Sequence, residues 1–323
     1  MTTAPSGHLR DGYGPFMRWV VPLSCLMVMG VGWGGNTALA KVATLAGAPP
    51  FGLAFLEGVG SGLLVLALCL SRRSLPRLQR PYLAFYAIAG MTGITIPATI
   101  LFWIAPHLPV GIVALLFTTV PLMTYGLSML FSVERFMWIR VLGLLIGLAG
   151  TALVVLPTAS LPGSDAVGWT LIGLAAPALY SSQNVYIARH WPLGSDALAL
   201  SCGTLFGGGL ALVPVLLATG DWMTMMPPWD EAERAAAAML TINGLGTAIF
   251  IWLVRFAGPV FASQTAYLVT AWGIVWGIII YGERHSLYVW AACALLFAGV
   301  ALVTFGQRLA TPSVGRRPVP PAG

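Results

Sequence analysis

Glu57 is the residue with the most chemical consequence. It stands in Leu56-Glu57-Gly58 and interrupts an apolar run that extends over residues 51–70. If that run crosses a bilayer, an ionised carboxylate inside it costs about 2.5–3.5 kcal/mol on insertion scales and so faces a cavity or a partner. It sits about seven residues, or about 10 Å at the helical rise, from one end of the run. Two functional readings follow: proton coupling, or recognition of a cationic group. Two structural ones stand beside them: a pair with Lys41 near the end of the neighbouring antiparallel run, or a protonated carboxyl bonded to backbone.

Other polar and aromatic residues recur at helical spacing in the apolar runs. Trp33 and Asn36 are three apart and share a helix face, as do Tyr180 and Asn184, with Gln183 adjacent. Gln264, Tyr267 and Thr270 repeat the three-residue spacing. Trp103 and Trp252, like Trp33, fall inside runs rather than at their ends and need packing partners or a cavity. Amides and hydroxyls facing lipid would go unsatisfied, so these faces point inward and are candidates to line a solute site. The competing role for each is an interhelical hydrogen bond, worth under about 2 kcal/mol. Pro121 deletes one helix hydrogen bond and frees the carbonyl of Phe117, which makes it a hinge or a packed kink. Thr270 occupies the equivalent place later in the chain, so Pro121 and Thr270 form the candidate gating pair.

Catalytic chemistry finds little support. There is no H-E-x-x-H, no Walker A pattern and no G-x-S-x-G turn. His8, His107, His190 and His285 are scattered over run ends and connections. Cys25, Cys69, Cys202 and Cys293 lie in apolar runs without a C-x-x-C pair and read as packing residues. Asp221, Asp230, Glu231 and Glu233 crowd one connection but lack a regular ligand pattern. No catalytic residue, metal or cofactor is assigned.

The elements that must hold these residues are set by composition. Hydrophobic residues make up 58% of the 323-residue chain and charged ones 8%, and the mean hydropathy is +0.86. Soluble domains carry about 25% charged residues, so the solvent here is lipid. Apolar runs near 18–41, 51–70, 82–105, 109–132, 137–156, 167–188, 196–218, 234–254, 259–281 and 286–306 predict ten transmembrane helices. They are too continuous for barrel strands. The polar first 17 residues and the long run after them do not read as a cleavable signal peptide. With the N-terminus in the cytoplasm, 13 Lys and Arg fall inside and three outside, a strong positive-inside bias. The net charge of +6 is spread between runs as a topology signal, not gathered in a nucleic-acid patch. Steps such as Gly58/Gly62, Gly143/Gly147, Gly203/Gly207 and Gly273/Gly277 suit close helix packing.

An internal repeat appears at an offset near 149 residues. Asn36 to Lys41 matches Asn184 to Arg189, Pro109-Val110 matches Pro259-Val260, and Glu134-Arg135 matches Glu283-Arg284. The chain therefore divides into a cytoplasmic tail 1–17, a five-helix repeat 18–157, a linker 158–166, a second repeat 167–306 and a cytoplasmic tail 307–323. Five helices is an odd number, so the two repeats must insert with opposite topology, a recurrent device of secondary transporters. The fold class expected is an all-α membrane protein of two inverted five-helix repeats.

At Phe102-Trp103, Pro109, Pro121, Glu134-Arg135 and Gly143–Gly150 running into Leu156-Pro157, and again from Trp252 to Gly299, the chain resembles the EamA-type family of the drug/metabolite transporter superfamily. The resemblance implies a ten-helix bundle with both termini cytoplasmic, and transport of metabolites, amino acids or drugs, often outward. The family often has Arg in its second helix where this chain has Glu57, and any role of that Arg does not carry over. The function expected is secondary transport of a small organic solute by alternating access. Its partners are the solute, the lipid bilayer of the cell's inner (plasma) membrane and, as a coupling ion, protons. A membrane-embedded lipid-modifying enzyme or a non-transporting scaffold are the alternatives. Paired intramembrane carboxylates or a His cluster would favour the enzyme, and both are absent from the sequence.

Overall fold

Hydrocarbon offers the backbone no hydrogen-bond partner, so continuous apolar runs close their bonds within helices. A computed structural model describes residues 17–104, 116–155, 165–281 and 287–310, and every regular element among them is helical. The order is α1 (Met17–Leu45), α2 (Pro50–Arg72), α3 (Arg80–Gly90), a π-turn (Met91–Thr95), α4 (Ile96–Ile104), α5 (Val120–Leu130), α6 (Trp138–Val155) and α7 (Asp165–Gly173). There follow α8 (Ala175–Arg189), α9 (Ala197–Leu210), α10 (Val213–Thr219), α11 (Glu231–Ala257), α12 (Pro259–Ser263), α13 (Thr265–Tyr281) and α14 (Leu287–Ala310). Residues 1–16 and 311–323 of the two tails, the linker up to residue 164, Pro109-Val110 and Glu283-Arg284 lie outside the described residues, while residues 307–310 continue α14 as helix rather than opening the tail.

Six stretches are long and apolar enough to cross a membrane: Trp19–Leu45, Pro50–Arg72, Arg80–Leu101, Ala197–Thr219, Glu231–Ala257 and Pro259–Ile280. Three shorter apolar helices accompany them, Val120–Leu130, Trp138–Gly150 and Ala294–Gly306. The chain is thus a multi-pass, all-helical membrane protein.

The interruptions within runs follow the prolines. Proline cannot donate to the carbonyl four residues before it, which frees Gly93 (before Pro97), Phe117 (before Pro121), Gly173 (before Pro177) and Leu210 (before Pro214). The π-turn spans Gly93, α7 stops at Gly173, α9 stops at Leu210, and the helix breaks at Thr119 just ahead of α5. Pro121 therefore sits in the first turn of α5 rather than bending a continuous helix. The α12–α13 break at Gln264 has another cause. Ser263 Oγ (2.8 Å) and Gln264 Nε2 (3.5 Å) both donate to the Val260 carbonyl, and the Gln264 N–H tightens onto Phe261 instead.

Connections are set by short-range chemistry. Pro50 opens α2, and Arg73 closes it in the left-handed conformation (φ 53°), donating to the carbonyls of Cys69 and Leu70. Asp196 caps α9 by accepting from the Ala199 N–H at 2.8 Å. Asp230 and Glu233 form a capping box at α11. Gly258 alone (φ 92°) joins α11 to α12, with Glu134 against it. Glu134 in turn pairs with Arg140, so it fixes this connection.

In the bundle, α2 packs on α9 and α6 on α14. Helix α1 lies on α11 and α13, while α8 lies on α3–α4 and α5; α2 also lies on α11, and α9 on α3. Small residues allow the closest approaches. A Cβ on Gly58 would fall 2.7 Å from the Gly209 Cα, and one on Gly143 would fall 2.9 Å from the Gly299 carbonyl oxygen. Phe85, Tyr125, Phe256, Phe261 and Tyr267 fill the largest buried cluster.

Gly143→Val should therefore weaken the α6–α14 contact by about 1–3 kcal/mol, the usual cost of overpacking. It should appear as a lower thermal unfolding midpoint in detergent. Gly126→Ala in α5, which meets nothing within 4 Å, should leave the midpoint unchanged or raise it slightly. Indistinguishable midpoints for the two variants would remove the close-approach account.

Candidate functional site

The site forms where α1, α2, α8 and α11 converge. Asn36 Nδ2 donates to Glu57 Oε1 at 2.6 Å, joining the middle of α1 to α2. Asn243 of α11 reaches the backbone carbonyl of Glu57 at 3.5 Å, and Thr247, one turn on, lies 3.5 Å from Asn243 Oδ1. From α8, Tyr180 is close enough to Glu57 to interact electrostatically. Glu57 and Tyr180 are enclosed by protein yet only half-buried, so both border an internal space. No cationic side chain among the described residues pairs with Glu57. The Lys41 side chain lies outside the described residues, and with it the expected Glu57–Lys41 pair.

Aromatic rings flank the polar cluster. Trp33 lies one turn from Asn36 and packs its ring 5.6 Å from Phe250 in a tilted pair, with its indole N–H over Gly246. Tyr180 makes a similar pair with Phe117 at 5.8 Å. Trp33 Nε1 and Asn36 Oδ1 are buried without a hydrogen-bond partner. An unsatisfied buried group costs about 1–3 kcal/mol, so this donor and this acceptor one turn apart mark an arrangement that a ligand or a second conformation would complete.

The structure places the remaining candidates elsewhere. Gln183 Nε2 donates to the Ala89 carbonyl at 2.9 Å, in the turn that leads into the π-turn, and its amide lies directly against Gly93. Thr95 donates from the same turn to the Gly208 carbonyl at 2.5 Å. Gln183 therefore stabilises the irregular turn that Pro97 creates. Asn184 is buried and donates to Thr124 Oγ1 of α5 at 3.2 Å. Tyr267 is buried and donates to the Leu144 carbonyl of α6 at 2.9 Å. Gln264 is buried at the α12–α13 break, Thr270 bonds back to Ala266 in its own helix at 3.1 Å, and Trp252 stacks on Phe256 at 4.6 Å. The Trp103 side chain lies outside the described residues.

Asn243 and Thr247 were missed by the reading of the sequence. Their signal was available: an amide and a hydroxyl four apart in an apolar run, the pattern that singled out Tyr180 and Asn184. An apolar groove of about 550 Å³ lies apart from this site, between α1, α13 and α14, lined by Leu23, Leu26, Phe297, Val300 and Phe305. It holds no charged group.

Comparison with known proteins places the geometry in context. Residues 21–156 match the model of the EamA-like transporter family. The chain is 28% identical over 301 residues to the inner membrane transporter YedA of Escherichia coli K12, covering 90% of this chain and 94% of that one. It is 25% identical over 297 residues to the transporter YvbV of Bacillus subtilis, covering 90% and 92%. A crystal structure of 19% identity superposes with a TM-score of 0.72 over 92% of this chain and 100% of its own, a likeness of fold.

Replacing Gln183 by Leu should leave the Ala89 carbonyl with only the longer Thr92 Oγ1 contact at 3.4 Å and lower stability by about 1–3 kcal/mol. Gly93→Ala should also destabilise, because its methyl runs into the Gln183 amide. The double variant Gly93→Ala/Gln183→Ala should lose less than the sum of its parts. Strict additivity of the unfolding midpoints would show that the two sites are not packed as described.

Proposed function

We propose that the chain belongs to the EamA-like transporter family, whose model matches residues 21–156, and that it is a secondary transporter of small organic solutes. It works by alternating access around Glu57. The observation that carries the proposal is a half-buried carboxylate at mid-bundle, bonded to Asn36 and bordering an internal space where α1 and α2 meet α8 and α11. The cluster draws on both halves of the chain, so a relative movement of the halves would change access to it.

The ten-span, inverted-repeat reading belongs to this proposal. Its spans are α1, α2, α3–α4, the run ending in α5, α6, α7–α8, α9–α10, α11, α12–α13 and α14. Exchanging the first five with the second five maps the contacts onto one another. The α2–α9 and α6–α14 pairs map onto themselves, α1–α11 onto α8–α3/α4, α1–α13 onto α8–α5, and α2–α11 onto α9–α3. That exchange supports a two-fold relation between residues 18–157 and 167–306. The positive-inside bias supports cytoplasmic termini, and the name of the Escherichia coli relative supports the inner membrane. The direction, outward, follows the family resemblance. Energy comes from an ion gradient or the solute's own gradient, since no Walker A pattern is present in the sequence.

Proteoliposomes loaded with a panel of amines, amino acids, sugars and organic anions, with and without a pH gradient, test the proposal. At least one solute should move faster than in empty liposomes, and Glu57→Gln should reduce that flux about tenfold or more. Movement of no solute by demonstrably folded protein would overturn the transporter reading; flux indifferent to Glu57→Gln would remove Glu57 from the site. Topology is tested separately in a cysteine-free background. Leu75→Cys should be shielded from an impermeant maleimide added to intact cells, and Met225→Cys should be labelled. The reverse pattern would invert the map.

A further inference from the structure

Glu57 sets a carboxyl group inside the bundle, bonded by Asn36. Of the ten carboxylates in the chain, it is the one set in the interior of an apolar run rather than at a run end or connection. No cation among the described side chains reaches it. A buried carboxylate so placed is neutralised by a proton, by a side chain outside the described residues such as Lys41, or by a cation that enters from outside. Resting on the reading of Glu57 as part of a solute site, we propose that its cavity binds the ammonium group of a primary or secondary organic amine. Glu57 serves as counter-ion, and the Trp33 and Tyr180 rings form the walls.

Three features favour an organic ammonium over an inorganic cation. Alkali and alkaline-earth ions need several converging oxygens, whereas Asn36 turns its N–H, not its oxygen, to the Glu57 carboxylate. The flanking surface is aromatic, with Trp33 against Phe250 and Tyr180 against Phe117. Ring faces attract cations carried on organic groups and offer a strongly hydrated metal ion little. Finally, Asn36 occupies Glu57 Oε1, and no described donor reaches the other carboxylate oxygen. That oxygen is left to accept a hydrogen bond from a ligand that carries a donor, and a charged N–H makes the stronger bond. A quaternary ammonium matches the charge but cannot supply the bond, so the site ranks primary and secondary amines above quaternary ones.

The polar donors on α11 and α1 shape the same selectivity. Asn243 engages the Glu57 backbone rather than its carboxylate, so it holds the helix without competing for the charge. Among the described residues no arginine or lysine lines the cluster, so a free carboxylate on the solute meets Glu57 without compensation. Amines lacking an acid group are therefore preferred over zwitterions.

The test is direct binding to the full-length purified protein in detergent at fixed pH, by titration calorimetry. The probe is 2-phenylethylammonium, compared with its N,N,N-trimethyl analogue, phenylalanine, 2-phenylethanol and sodium chloride. The primary amine should bind about tenfold or more tightly than each comparator, and sodium should not displace it. Glu57→Gln should weaken amine binding about tenfold or more, with Glu57→Asp intermediate. Equal binding of amine and alcohol, or sodium displacing the amine, would overturn the proposal. These comparisons use the wild-type protein, so they decide the matter even if the Gln variant does not fold. The transporter reading fails separately. Amine binding with no solute moved in proteoliposomes removes transport and keeps the site; transport of other solutes with no amine binding keeps transport and removes the site.

Discussion

No backbone carbonyl inside the hydrocarbon can be left to water, and the bundle is arranged around the places where proline breaks this rule. Each interior proline at 97, 121, 177 and 214 uncouples one carbonyl, and the chain responds with a π-turn, a break or a fresh helix start. Near two of these breaks polar side chains add ties to a neighbouring helix. Gln183 donates to the Ala89 carbonyl beside the π-turn, and Ser181 donates to the Val120 carbonyl at the start of α5. Both donors lie on α8, so one helix of the second half fastens two irregular turns of the first. This cross-connection keeps the interruptions ordered while leaving the helices on either side of them in different directions.

Packing without a hydrophobic drive between helices depends on close approach. The Gly58–Gly209 and Gly143–Gly299 contacts meet that need at the two helix pairs that would map onto themselves if the halves were exchanged. A pair lying on a two-fold relation must present similar surfaces from both sides, and two hydrogen-sized side chains face to face are the smallest solution. Within the proposed mechanism these contacts act as pivots. They have little side-chain volume to interlock, so one half can tilt on the other without unpacking a core.

The halves are unequal where chemistry enters. Asn36 and Asn184 occupy matching positions in the proposed repeat, yet Asn36 bonds the Glu57 carboxylate and Asn184 bonds the Thr124 hydroxyl. Tyr267 likewise spends its hydroxyl on Leu144 across a helix interface. In the proposed site the first half supplies the carboxylate, with Asn36 and Trp33 beside it, and the second half adds Asn243 and Tyr180.

Much of this molecule was determined by its sequence alone. The apolar runs dictate a multi-pass helical membrane protein, because hydrocarbon accepts no other continuous backbone there. The prolines at 97, 121, 177 and 214 mark where those helices falter, since a missing N–H is a local fact, whereas Pro22 sits within an unbroken α1. Glu57 stood out for the same reason: an acid in an apolar run is costly wherever it ends up. What only the tertiary structure decided is which polar side chains face the cavity and which are consumed in packing. Trp33, Asn36 and Tyr180 border the proposed site, while Gln183, Asn184 and Tyr267, equally polar and equally spaced, are spent on carbonyls and hydroxyls of other helices. Their partners at Ala89, Thr124 and Leu144 are 94, 60 and 123 residues away in the chain. Helical periodicity places a side chain on a face, but the neighbour across that face is set by the packing of the whole bundle.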